Sequence, residues 1–116
     1  MANTYTQLYV QVVFAVKDRQ SLIPHRHKEE LHRYITGIVQ RRGAKFLAVH
    51  CMPDHTHLFV SYSPALAIAD LVKEVKTATS TFIKDKRWTR VPFYWQEGYG
   101  AFPTLNHKSM PSFDIS

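Results

Sequence analysis

Met52-Pro53-Asp54-His55-Thr56-His57-Leu58-Phe59-Val60-Ser61-Tyr62 is the stretch on which the reading of the chain turns. Side chains of a strand alternate faces, so Thr56, Leu58, Val60 and Tyr62 are expected to line a core while His55, His57 and Phe59 share the opposite surface. Two imidazoles then stand side by side. Together they offer two nitrogens to one divalent cation, and a bound cation is a direct means of polarising a phosphate ester. The same spacing also fits a half-exposed strand with two solvated histidines.

Upstream, residues 44–51 read as a strand that the short link Met52-Pro53-Asp54 turns into the motif, which implies an antiparallel hairpin. His50 lies just before that turn and could approach the motif face, or be an ordinary strand histidine. Residues 5–17 are rich in β-branched and aromatic residues and free of Gly and Pro, the pattern of a long first strand. Its exit, Lys17-Asp18-Arg19-Gln20, is charged and leads to Pro24 at a helix start. Leu31, Ile35, Ile38 and Val39 then fall at helical spacing up to Gly43. His25, His27 and His32 lack Cys or carboxylate partners at ligand spacing and read as solvated.

Downstream, Ser63-Pro64 supplies an N-cap and first-turn proline for a second helix. Ile68, Leu71, Val72, Val75, Thr79 and Phe82 make its buried stripe. Lys73, Lys76, Thr77, Ser80 and Lys84 form a basic stripe laced with hydroxyls, suited to phosphates or simply to solvent. Residues 91–102 read as a final aromatic strand, with Phe93 and Trp95 on one face and Tyr94 and Gln96 on the other. Strand, helix, strand, strand, helix, strand is the order of a ferredoxin-like (RRM-like) α+β sandwich, one antiparallel sheet with two helices on one face. The domain is expected to span 1–102, leaving 103–116, with two prolines and no helical period, as an irregular tail.

The chain has 116 residues, enough for one domain with a real core. Fifteen Lys and Arg against nine Asp and Glu give a net charge of +6, which favours a polyanionic partner, most simply nucleic acid. The single cysteine, Cys51, excludes an internal disulfide and fits a reducing compartment. Lying in an apolar run, it reads as a buried thiol and not a nucleophile. No segment approaches the roughly 20 apolar residues of a membrane span, and the expected location is the cytoplasm.

Pro53-Asp54-His55-Thr56-His57-Leu58-Phe59-Val60 resembles the His-hydrophobic-His (HUH) signature of the small single-tyrosine transposases of the IS-two-hundred-like insertion-sequence class. Val13-Phe14-Ala15-Val16-Lys17-Asp18-Arg19 is similar to that family's first strand, Leu71-Val72-Lys73-Glu74-Val75-Lys76 to its second helix, and Phe93 through Phe102 to its last core strand. Thr56 departs mildly, standing where the family has an aliphatic residue. The resemblance covers roughly residues 5–102. It implies a homodimer that binds single-stranded or hairpin DNA, and a divalent cation, Mg²⁺ or Mn²⁺, on His55 and His57. It also implies a tyrosine nucleophile that cleaves and rejoins one strand through a phosphotyrosine. Lys76 matches a helix position on the DNA side, and Lys17, Arg19, Lys73 and Lys84 are further candidate phosphate contacts. The family's tyrosine helix matches nothing here, for no Tyr follows Tyr99. The expectation is therefore a transposase unable to cleave, or else a non-catalytic nucleic-acid-binding module on the same fold.

Overall fold

The computed structural model describes residues 8–44, 47–61, 63 and 66–104. Alternation builds the sheet. In β1 (Tyr9–Ala15) every second residue is buried, so Val10, Val12 and Phe14 point one way while Tyr9, Gln11, Val13 and Ala15 point the other. In β3 (His55–Ser61), Thr56, Leu58 and Val60 likewise turn inward. β2 (Leu47–Met52) precedes β3 through the two-residue turn at Pro53 and Asp54, which places Met52 opposite His55. With β4 (Gly100–Thr104) the strands lie in the order β2-β3-β1-β4, every neighbouring pair antiparallel. β4 is an edge, and Pro103, which has no N–H to donate, is tolerated there.

Two helices close one face. From α1 (Lys28–Arg41) come Leu31, Ile35, Ile38 and Val39, and from α2 (Ile68–Lys86) Leu71, Val72, Val75 and Ile83; these join the inward residues of β1, β2 and β3 in one apolar cluster. This is the expected α+β sandwich with both helices on one side. The helix α2 buries Ile83 and leaves Phe82 half-exposed, stacked on Tyr34 of α1 at 4.0 Å between centroids. Glu74 and Arg42 tie the two helices at 2.6 Å on the outer surface.

Several boundaries differ from the expected ones. Leu66 plugs into the core, its N–H turned back to the Ser63 carbonyl, so α2 begins at Ile68 and not at Ser63-Pro64. At the first helix, Pro24 introduces a single 3-10 turn before α1. The aromatic run is the largest difference: residues 93–99 are irregular, joined to β1 by an isolated Val16–Trp95 bridge, and the strand proper starts at Gly100 and runs to Thr104. Phe93 and Trp95 do turn inward, with rings 5.0 Å apart, while Tyr94 is exposed. The Trp95 Nε1–H donates to Thr79 Oγ1 at 3.0 Å, so the run is held by α2 as much as by the sheet. The expected first-strand start (5–7) and most of the tail lie outside the described residues.

At the β2 edge, the Cys51 N–H donates to His32 Nε2 at 3.0 Å, so His32 is a satisfied structural group. Burial, opposed by the charge of Glu29 and aided by His50 and Lys28, holds the His32 ring below the ordinary histidine range. An unfolded chain therefore binds the proton better, and this contribution to stability is complete above about pH 6.5 and lost as the pH falls beneath it. Urea midpoints are expected to drop between pH 7.5 and 5.5. In His32→Gln, which keeps an acceptor but cannot titrate, they should drop less; an unchanged slope would contradict the assignment. The Cys51 thiol, also buried, is pushed up to about 12, consistent with an inert side chain.

Candidate metal centre and nucleic-acid face

The register of the sheet puts the histidine pair on the face opposite the helices. His50, His57, Val13 and Gly100 form one row across the four strands; Met52, His55 and Ala15 form the row beside it. The His55 and His57 rings lie 4.9 Å apart between centroids, inclined at 65°, and both are partly exposed. Phe59 shares this face by register but is 1% exposed, so the face is closed at Phe59 and accessible at the two histidines.

Each ring is held at Nδ1. The His55 Nδ1–H donates to Asp54 Oδ1 at 2.6 Å, and Arg19 grips the other carboxylate oxygen through Nε at 3.2 Å and Nη2 at 3.1 Å. These bonds, that of His55 first, keep the Asp54 carboxyl below the usual carboxylate range. Gln11 of β1 places its amide Nε2 3.0 Å from His57 Nδ1, an arrangement in which the amide N–H donates to the bare ring nitrogen. Rotating the amide by 180° exchanges donor for acceptor without moving a heavy atom out of place, so Oε1 can instead accept from Nδ1–H. Burial, then the neighbouring His55 and His50 rings, hold His57 below the ordinary histidine range, which favours the neutral, metal-binding form.

Two imidazoles engaged at Nδ1 have their Nε2 atoms left to face a shared cation. Among the described residues, no group of three or more His, Cys, Asp or Glu is placed to hold a metal ion. A cation on this pair would need its further ligands from elsewhere.

Arg19 reaches Asp54 because the chain leaves β1 through an unusual turn. Asp18 and Arg19 both have left-handed backbones, φ 57° and 55°, at a cost of about 1–2 kcal/mol per residue. The turn is fastened by Lys17 N–H to the Tyr94 carbonyl at 2.9 Å, Asp18 N–H to Gln96 Oε1 at 3.3 Å, and Arg19 N–H to the Val16 carbonyl at 2.8 Å. Strain retained in this way commonly marks a functional position.

Of the five candidate DNA contacts, Arg19 is joined to His55 through Asp54, and Lys17 opens the same turn. Lys17 lies over the exposed Tyr94 ring at 5.8 Å. Lys73 and Lys84 are exposed on the helix layer, across the sheet from His55 and His57. The Lys76 ammonium donates to the carbonyls of Gln96, at 2.8 Å, and Gly98, at 2.6 Å. Desolvation, opposed by Glu97, lowers its pKa. Lys76→Met is expected to cost about 1–2 kcal/mol, within the range of charge-assisted hydrogen bonds at a part-exposed site. It should also speed proteolytic cleavage near Gly98; an unaltered cleavage pattern would contradict this anchoring role.

Sequence reasoning missed Asp54 and Gln11 as partners of the histidines. The Asp54 signal was present, a carboxylate directly before His55. Gln11 interrupts an apolar strand, but its neighbour is visible only once the β1–β3 register is known.

A four-stranded antiparallel sheet beneath two helices, with a His-x-His pair on the opposite surface, defines the class: a ferredoxin-like α+β sandwich presenting paired imidazoles. The chain belongs to the family described as Transposase IS200 like, whose profile matches residues 4–111. It is 29% identical over 89 residues to the ISDra2 transposase TnpA of Deinococcus radiodurans, a match covering 71% of this chain. The chain spans 64% of the length of that relative. Two solved structures share the fold. One, a crystal structure of a Deinococcus radiodurans chain assigned as a transposase, has a TM-score of 0.70 at 22% identity, covering 92% of this chain and 85% of the other. The second, a REP-associated tyrosine transposase bound to a REP hairpin, has a TM-score of 0.58 at 14% identity, covering 93% and 64%. No helix among the described residues is long and apolar enough to cross a membrane.

Proposed function

We propose that this chain is a cytoplasmic, homodimeric DNA-binding transposase domain that takes single-stranded or hairpin DNA and places a phosphate against a divalent cation on His55 and His57. The observation that carries this reading is the pair of imidazoles side by side on the accessible sheet surface, each held at Nδ1. Mg²⁺ or Mn²⁺ suits a shell completed by water and phosphate oxygens and would supply polarisation of the scissile phosphate. The chain's own residues hold the two nitrogens, with Arg19 and Lys17 beside them as phosphate contacts. The family relationship and the +6 charge support a DNA partner, as does the structural neighbour solved with a hairpin.

Cleavage is a separate matter. Among these 116 residues, those resembling the family supply the metal pair and none matches its tyrosine, so a sample made of these residues alone is expected to bind DNA without strand scission. A hairpin oligonucleotide incubated with Mn²⁺ and then denatured should show no covalent protein–DNA adduct. Binding should weaken steeply as salt rises, as phosphate contacts require. An adduct would overturn the cleavage-deficient reading and direct attention to Tyr94 and Tyr99, both exposed. The second reading, a non-catalytic nucleic-acid-binding module, is favoured by Lys73 and Lys84, which lie away from the histidine pair. Hairpin binding unaffected by both Mn²⁺ and His55→Ala would support it.

A further inference from the structure

We propose that Asp54 and Gln11 are positioning residues, Asp54 fixing the tautomer and ring orientation of His55 and Gln11 the ring orientation of His57, with Arg19 locking Asp54 in place. The inference rests on the cation reading above and names the residues that make the pair competent.

A histidine on a strand can flip about its outer torsion and can carry its proton on either nitrogen. Only one combination aims an Nε2 lone pair at a shared ion, and apparent affinity falls by the fraction of molecules not in it. Asp54 restricts His55 to that combination: a carboxylate only accepts, so a 2.6 Å contact requires Nδ1–H, and in the neutral ring the lone pair is then on Nε2. Asp54 is itself immobilised on both sides. Its carbonyl accepts from Val16 N–H at 2.8 Å, the Pro53 carbonyl from Ile23 N–H at 3.0 Å, and its second carboxylate oxygen is held by Arg19. The left-handed turn at Asp18 and Arg19 is what brings that guanidinium across from the end of β1. Gln11 holds the His57 ring from the neighbouring strand, two residues from Val13, the cross-strand partner of His57: its Nε2 donates to Nδ1 as placed, and a 180° turn of the amide lets Oε1 accept from Nδ1–H when Nε2 of the ring faces an ion. The two imidazoles are thus oriented from opposite directions, one through the β2–β3 turn and one through β1. Such outer partners typically alter metal affinity about 10–100-fold.

The test reads the rings and the metal separately. In metal-free protein above pH 7, long-range ¹H–¹⁵N correlation spectra should show His55 protonated at Nδ1. Asp54→Ala should release the His55 tautomer and Gln11→Met should leave it unchanged, each weakening Mn²⁺ binding about 10–100-fold by electron paramagnetic resonance titration. The conservative variants guard against misfolding. Gln11→Glu, which can only accept, should keep the Nδ1–H tautomer and wild-type affinity or better, and Asp54→Asn should fall between Ala and wild type. Tautomers and affinities unchanged in Asp54→Ala and Gln11→Met would overturn the inference. Wild-type protein with His55 protonated at Nδ1 but no Mn²⁺ binding would overturn the cation reading while supporting the positioning of that ring.

Discussion

Replacing His55 and His57 together by alanine should abolish divalent-cation binding while leaving the fold in place. Both rings are partly exposed on the sheet surface opposite the core, so their removal opens no cavity. What is lost on the stability side is one hydrogen bond to Asp54 and one to Gln11, about 1 kcal/mol each, and Asp54 retains Arg19. What is lost on the binding side is every protein nitrogen assigned to the ion. The fall in Mn²⁺ affinity should therefore exceed about a hundredfold, the upper end of what removal of an outer partner causes. Calorimetric titration of the double variant, with a urea curve on the same sample, separates the two. Retained Mn²⁺ affinity with an intact fold would place the cation elsewhere.

The second large effect lies in the core. Phe14→Ala should destabilise the domain by about 3–5 kcal/mol, a substantial share of the roughly 5–15 kcal/mol that holds a domain of this size. Phe14 is 2% exposed and sits where three elements meet. Its ring packs edge-on to Trp95 at 4.7 Å, Trp95 is hydrogen-bonded to Thr79 of α2, and the Lys76 ammonium lies 5.9 Å over the Phe14 face. Loss of the ring removes apolar burial and also the platform against which residues 93–98 are set. The urea midpoint should fall with an unchanged slope, the signature of a stability change without altered unfolding surface. A loss below about 1 kcal/mol would mean that Trp95 does not depend on this contact.

The central hairpin and the histidine pair were legible because a period of two has one consequence: alternate residues face opposite sides, and Thr56, Leu58 and Val60 could only be the inward set. Both helical stripes were legible in the same way, apart from Phe82, whose place in the core is taken by Ile83 one residue on. The aromatic run misled because Phe93 and Trp95 alternate inward as strand residues do, yet their partners are Phe14 and Thr79, and the Lys76 ammonium claims the carbonyls of Gln96 and Gly98. Tertiary contacts set that segment, and local propensity does not report them. The same limit hid the start of α2, which waits for Leu66 to enter the core. At the site, the paired imidazoles were visible in the motif, but two groups that hold them lie far off in sequence: Gln11 of β1, 46 residues from His57, and Arg19 in the turn after β1, 35 residues from Asp54.

The most direct test of the account is anomalous diffraction from crystals soaked in Mn²⁺. A peak about 2 Å from both His55 Nε2 and His57 Nε2, with Asp54 and Gln11 still on the two Nδ1 atoms, is the result predicted. Rings turned to opposite sides of the sheet, or an ion bound away from both of them, would contradict it.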